Sequence, residues 1–356
     1  MKNLMKIKLL SIAAGAVVTA CTAASAADGY KLTLPLNADD DDATVYLVDF
    51  DNGNKIDSAV VENATAVFTG RVETPVIARM VMEGRRLGNI VLENAQMTIA
   101  PDGTVDSPLN NTLQQLARRQ QEIYRQYQAL PDTPDRPAKA KALEASYVAV
   151  ADSVFDANVD NAVGYYVFVN QAYDMSLDQL NDALAKYPRF RNSKRVANLL
   201  TAAENKERTA VGQKFVDFEI AADSTVQRLS DYVGKGRYVL VDFWASWCGP
   251  CIRETAVIKD IYKKYGPEGT GQLDVLGVAV WDEPQNTRSA IERHKLPWPQ
   301  IINAQSVPTD LYGISGIPAI FIFAPDGTIV SRGKQGDELR ADIARLLDNA
   351  PATQAD

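Results

Sequence analysis

Two cysteines three residues apart, Cys248 and Cys251, stand where the sequence turns from a strand into a helix. Residues 238–244 form a nearly continuous apolar run, as a strand buried on both faces requires. Pro250 suits the first turn of the helix that follows, because the N–H it lacks would have no partner there. Cys248 is thereby placed at a helix N-terminus, where unpaired N–H groups and the positive end of the dipole favour an anion. A cysteine in such a motif falls from a pKa of about 8.5 to about 7 or lower. Cys251, one turn along, is within disulfide reach and is expected to be the more buried. The chemistry is thiol–disulfide exchange: Cys248 attacks a substrate disulfide, or is attacked when oxidised, and Cys251 resolves the mixed disulfide. A purely structural disulfide would close a very small loop and add little stability. A metal site would hold two thiolates with neither a second pair nor a usable histidine.

The elements that must position this pair alternate strand and helix over residues 211–349. Strands are expected at 215–220, 238–244 and 273–280, and a hairpin at 319–323 and 328–331 around Pro325-Asp326-Gly327. Helices are expected at 251–265, 286–294 and 337–347. This order describes a mixed sheet covered by helices. His294, the single histidine, sits in a charged helix end and reads as surface, and Trp244 reads as packing.

Two further regions precede this one. Residues 28–108 are β-rich, with alternating polar and apolar residues at 31–36 and in part of 44–50, turn residues at 51–54, and strand patterns at 64–71, 75–82 and 89–99. The acidic run 39–42 lacks the spaced ligand set of a calcium loop and reads as a solvated loop. Residues 109–206 lose the alternation and read as helices over 110–130, 139–157, 161–173, 176–187 and 188–204. Their aromatic cluster Tyr165, Tyr166 and Phe168 reads as helix core in preference to a peptide-binding surface.

The whole chain bounds these readings. At 356 residues it is too long for one ordinary core, and 46% hydrophobic with 23% charged residues marks it as globular. A formal charge of −8 gives no electrostatic reason to bind nucleic acid. Three cysteines and one histidine exclude the usual Cys/His zinc sites and a haem attachment motif. Residues 1–27 read as an export signal: Lys2, Lys6 and Lys8 precede a short apolar run, about half the ~20 residues that span a bilayer. Two processing sites compete there. Ala24-Ser25-Ala26 offers a small-x-small cleavage site, whereas Val18-Thr19-Ala20-Cys21 resembles a lipobox and would leave Cys21 lipidated at the new N-terminus. Export implies an oxidising compartment, where a lone cysteine pair becomes a disulfide.

The segment 239–251 resembles a thioredoxin-fold active site, and the stretch from Val211 to Leu347 resembles the TlpA/ResA-like branch of periplasmic thiol-disulfide reductases. The resemblance rests on Gly212, Phe215, Asp217-Phe218, Leu229-Ser230-Asp231-Tyr232, Gly234-Lys235, the active-site segment, and Tyr312 leading into Gly316-Ile317-Pro318. Val216 departs from it, standing where that family often has proline. The resemblance implies that the peptide bond before Pro318 is cis, that Pro318 faces the cysteines, and that the Ile317 backbone is free to pair with an extended substrate. It implies that Asp242 is a buried acid exchanging a proton with Cys251 through water, and that Glu254 lies near the sulfurs, the alternative for Glu254 being an acid that merely complements the helix dipole. Trp247, Gly249 and Pro250 would contact substrate. Residues 28–108 loosely resemble, through Phe68-Thr69-Gly70 and the strands around Pro75 and Ile90, a β-rich domain of unknown function fused ahead of such modules in bacterial envelope proteins.

The expected function is reduction of disulfides in exported proteins by a chain that needs no cofactor and is kept reduced by a membrane thiol electron donor. The Gly249-Pro250 pair between the cysteines resembles that of thioredoxin, a couple near about −270 mV. An oxidase or isomerase using the same pair, and an envelope scaffold in which redox chemistry is secondary, are the competing expectations.

Overall fold

The computed structural model describes residues 29–222 and 225–348, so the expected export signal, including Cys21, lies outside the described residues. Two compact units result. One holds the described residues up to Met175 with Asp182–Ala197, and the other holds Ser176–Asn181 with the described residues from Asn198 onward.

The first unit opens with seven strands: β1 (Tyr30–Pro35), β2 (Thr44–Asp49), β3 (Lys55–Glu62), β4 (Thr65–Gly70), β5 (Val76–Met82), β6 (Arg85–Leu92) and β7 (Gln96–Thr98). They form one sheet in the order β6-β5-β2-β3-β4-β1-β7. Alternation decides which face is buried: Tyr30, Leu32 and Leu34 of β1 enter the core while Lys31 and Thr33 do not. Two features depart from the sequence expectation. Residues 89–99 are two strands, β6 and β7, and β3 occupies a stretch without clean alternation. Polar Asp57 and Ser58 mask β3 in the sequence, and it is recruited by antiparallel pairing with β2 on one side and β4 on the other.

Helices follow: α1 (Pro108–Gln128), α2 (Arg136–Asn158), α3 (Ala162–Ala172), α4 (Leu177–Lys186) and α5 (Lys194–Arg208). On α1 the buried residues Leu113, Leu116, Ala117 and Gln120 follow the helical spacing. Tyr166 and Phe168 of α3 are core, and Tyr165 donates to Asp51 at 2.6 Å. The helix expected over 188–204 is instead a short 3-10 turn, Pro188–Asn192, followed by α5. Its break has a tertiary cause. Asp51, from the β2–β3 turn, accepts the N–H groups of Lys194 at 3.1 Å and Arg195 at 2.9 Å, while Ser193 Oγ takes the N–H of Val196 at 3.0 Å. A carboxyl group more than a hundred residues away thus caps α5, which no local pattern announces.

The second unit contains β8 (Glu219–Ala222), β9 (Thr225–Arg228), β10 (Tyr238–Trp244), α6 (Gly249–Tyr265), β11 (Leu273–Ala279), α7 (Pro284–His294), β12 (Gln300–Ile301), α8 (Val307–Leu311), β13 (Ala319–Phe323), β14 (Ile329–Arg332) and α9 (Gly336–Leu347). Five strands form a mixed sheet in the order β12-β11-β10-β13-β14, with β10 central, parallel to β11 and antiparallel to β13. The expected thioredoxin-like architecture is therefore present. Leu240 and Trp244 of β10 share one core with Ile258 and Ile261 of α6 and Leu339 and Ile343 of α9. Val239, Val241 and Phe243 meet the opposite core with Phe218 and Tyr312.

The strand expected at 215–220 is shorter and displaced, because β8 pairs only with β9. The backbone ahead of it is satisfied differently. The Tyr312 hydroxyl donates to the Val216 carbonyl at 2.8 Å and accepts the Val216 N–H at 3.0 Å, and Asp217 accepts the N–H of Ser230 at 2.9 Å. Residues 198–209 also belong to this unit. Asn205 donates to the Asp310 carbonyl at 2.9 Å, and a Cβ on Gly313, which has φ +57°, would lie 2.4 Å from the Ala202 carbonyl oxygen. Only glycine allows that approach of α5 to the loop leading toward Pro318. Among the described residues no helix is long and apolar enough to cross a membrane.

Candidate active site

Strand β10 delivers the cysteines. Beyond Trp244 the chain makes a three-residue loop and starts α6, with Cys248 as its N-cap and Pro250 in the first turn. Cys248 and Cys251 are joined in a disulfide with their Cα atoms 5.3 Å apart. The Cys251 N–H points at Cys248 Sγ, 3.2 Å away. That donor, with the dipole of a 17-residue helix behind it, stabilises negative charge on Cys248 once the bond is opened. Cys251 is fully buried and Cys248 is 4% exposed. Gly249 and Pro250 are exposed beside them, and a Cβ on Gly249 would meet nothing closer than Arg253 Nη1 at 3.6 Å.

The peptide bond between Ile317 and Pro318 is cis. Pro318 is buried, and Ile317 is half-buried against both cores of the sheet, including the one that contains the two cysteines. The Pro318 carbonyl accepts the side-chain amide of Gln335 at 3.1 Å. The next residue, Gly336, donates its N–H to Glu254 Oε1 at 2.8 Å. Residues 335 and 336, at the start of α9, therefore tie the cis-proline loop to the cysteine-bearing helix. Sequence reasoning passed over them, since Gly-Lys-Gln-Gly reads only as a helix-start loop.

Asp242 sits on β10 between Leu240 and Trp244, on the side of the sheet that packs against α6. It is 2% exposed, and its Oδ1 meets no hydrogen-bond partner. Burial pushes its carboxyl group up to about 8, and the neighbouring Glu254 adds to the shift. The environments of the two acids differ in kind: Glu254 is hydrogen-bonded at a helix N-terminus, whereas Asp242 is buried with its Oδ1 unpaired. A carboxyl group that titrates near neutrality is suited to proton transfer at physiological pH.

Trp247 is 62% exposed and donates its indole N–H to the Trp281 carbonyl at 2.9 Å. Trp244 is fully buried, its indole N–H held by Gln300 at 3.0 Å. His294 is partly exposed at the end of α7.

Glu254→Gln is the substitution that separates charge from shape. Glutamine keeps an oxygen for the Gly336 N–H, so α9 stays capped, while one negative charge leaves the neighbourhood of Asp242. The expected result is a downward shift of the pH profile for alkylation of the reduced cysteines, of up to about one pH unit. The two thiols titrate as a coupled pair, so the shift is read on macroscopic values. An unmoved profile would leave Glu254 with the capping role alone.

A mixed sheet with a redox-capable cysteine pair at the N-terminus of its first long helix, and a cis-proline loop at the same core, defines a thioredoxin-like thiol–disulfide exchange domain. Residues 211–332 match the family model described as AhpC/TSA family, and residues 30–107 match a domain of unknown function, DUF4369. The chain is 32% identical over 154 residues to the thiol-disulfide oxidoreductase ResA of Geobacillus thermodenitrificans, covering 43% of this chain and 83% of that protein. It is 31% identical over 145 residues to ResA of Geobacillus kaustophilus, covering 40% and 80%. The solved thioredoxin domain of a thiol-disulfide oxidoreductase from Bacteroides vulgatus has 28% identity and a TM-score of 0.34, over 39% of this chain and 98% of that one. Through its C-terminal region the chain belongs to the ResA family of thiol-disulfide oxidoreductases.

Proposed function

We propose that this protein reduces disulfides of exported proteins. The observation that supports it best is the buried Cys248–Cys251 disulfide capping α6, with the cis bond before Pro318 at the same core. In the reduced protein Cys248 thiolate attacks a client disulfide, the client S–S bond breaks, and one client thiolate leaves. Cys251, deprotonated with the help of Asp242, then attacks Cys248 Sγ, forms the internal disulfide and releases the second client thiol. Glu254 tunes the charge around this step. Pro318 faces the sulfurs, the Ile317 backbone pairs with an extended client, and Trp247, Gly249 and Pro250 form the contact surface. Two electrons pass to the client, and a membrane thiol donor restores the dithiol.

Residues 1–27 act in this reading as the export signal, ending at a cleavage site near Ala26 or at a lipidated Cys21 that tethers the protein in the bacterial envelope. Residues 28–108 and 109–206 precede the redox domain at 211–349 in this reading; the matched ranges 30–107 and 211–332 fall within its first and last parts.

The direction of electron flow is tested by equilibrating the full chain with glutathione and by assaying insulin reduction. A potential near thioredoxin's, about −270 mV, with rapid insulin reduction is the expected result. A potential near about −120 mV, the value for DsbA, would make the protein an oxidase and overturn the reductase reading.

A further inference from the structure

The loop between β10 and α6 carries Trp247 and Cys248, and it is held from outside. Its last ladder contact is the Val280 N–H donating to the Trp244 carbonyl at 2.9 Å. Beyond that point a single side chain takes over. Asp282, just past the end of β11, accepts the Ser246 N–H at 2.7 Å and the Ser246 hydroxyl at 2.9 Å. The same carboxyl group accepts the hydroxyl of Thr287 at 2.8 Å, and its own backbone carbonyl accepts Gln305 Nε2 at 2.9 Å. Asp282 is 5% exposed and Thr287 fully buried, so the anchor is fixed to α7 and shielded from competing water.

The residue before it completes the device. Trp281 has φ +54°, a left-handed conformation unfavourable for a bulky residue. Such backbone persists where its surroundings hold it in place, and it concentrates at functional sites. Here the turn sends the Asp282 side chain inward while the Trp281 carbonyl takes the Trp247 indole N–H at 2.9 Å. Trp247 is the most exposed large apolar side chain among the described residues, at 62%. Its single donor is already engaged, so it offers solvent an apolar ring whose orientation is set in advance. A rigid aromatic surface binds an apolar partner with little ordering entropy left to lose.

We propose that Asp282 is the positioning residue of the substrate-facing loop: by holding Ser246, and with the Trp281 carbonyl holding Trp247, it presets an apolar platform beside Cys248 for client segments with apolar side chains next to their cysteines. This rests on the reductase reading above. It assigns to the β11–α7 turn a role in client affinity, separate from the chemistry of the sulfurs.

Three variants of the full chain test it. Losing the Ser246 anchor in Asp282→Ala is expected to raise KM for insulin about tenfold with kcat within about threefold, the size of one buried hydrogen bond lost from the bound state. Asp282→Asn retains an oxygen for the Ser246 N–H and should recover KM to within about threefold. Ser246→Ala, which removes only the hydroxyl, keeps the fold testable if alanine at 282 does not, with an expected rise in KM of about two- to threefold. Hydrogen exchange at the Ser246 amide reads the anchor without any activity: it should be protected in the parent and at least about tenfold faster in Asp282→Ala. An unchanged Ser246 amide, an unchanged KM in both Asp282→Ala and Ser246→Ala, or a fall in kcat matching the rise in KM overturns the proposal. A parent protein that reduces no insulin, yet shows the protected amide released on substitution, would instead defeat the reductase reading and leave the anchor standing.

Discussion

Cys248→Ser should reduce no insulin above the uncatalysed rate, and Cys251→Ser should accumulate as a mixed disulfide with its client. The geometry gives the two sulfurs unequal tasks. Cys248 caps α6, accepts the Cys251 N–H, and stands next to exposed Gly249 and Pro250. Cys251 is fully enclosed. Only the thiolate is nucleophilic, so the thiol that combines a stabilised anion with access reacts first. In the reduced parent, Cys248 should be alkylated at neutral pH at least about tenfold faster than Cys251, because the Cys251 N–H and the α6 dipole stabilise its thiolate. Mass spectrometry of partly alkylated protein gives both rates in one experiment. Equal rates, or alkylation that begins at Cys251, would reverse the order of attack. Without Cys251 the mixed disulfide has no internal resolving thiol, and clients captured on Cys251→Ser in envelope extracts should be released by dithiothreitol.

Asp242→Asn should stabilise the second unit at neutral and alkaline pH while slowing the release of clients. The stability effect follows from linkage. The native carboxyl group titrates at about 8, above the roughly 3.9 of an unfolded chain. Its contribution is fully present below pH ~4, where both states are protonated. Between pH ~4 and ~8 the unfolded chain ionises while the native one stays neutral, so stability falls as pH rises, by up to about 1.4 kcal/mol per pH unit for a group buried this completely. Above ~8 the native group ionises too, and the loss levels off. Asparagine has nearly the shape of the neutral acid and no titration, so the variant should lack this slope. Calorimetry of the oxidised proteins should show the variant melting higher at pH 8, by about 5 °C or more, and the advantage disappearing near pH 4. A difference independent of pH would mean that Asp242 does not titrate in this window. The kinetic effect has the opposite sign for function: with no carboxyl group titrating at about 8 to exchange a proton with Cys251, decay of a preformed mixed disulfide should slow by about a hundredfold, the lower range of general acid–base contributions. A variant that gains stability yet resolves at the parent rate would leave Asp242 a structural acid. Such a buried acid beside Glu254, kept at a cost in stability, fits a functional site that is not optimised for stability.

The sequence by itself determined the reactive pair, the strand that presents it and the helix that activates it. These are local: an apolar run over Tyr238–Trp244, Pro250 in the first helical turn, and a three-residue spacing place both sulfurs without reference to the rest of the chain. The apolar run around it and the thioredoxin resemblance also made Asp242 a buried acid candidate. Tertiary structure decided what sits around them. Asp51 caps the start of α5 from 144 residues away, and β3 exists because two neighbouring strands pair with it. Gln335 and Gly336 tie Pro318 to Glu254 from 17 and 82 residues away, and Asp282 holds Ser246 from 36 residues away. In the caps and anchors one polar side chain satisfies a backbone or polar group distant in sequence, and hydrogen bonds of that kind leave no periodicity to read. Propensity and alternation record what a residue does with its near neighbours; a cap or an anchor delivered from another element is recorded only in the fold that brings the two together.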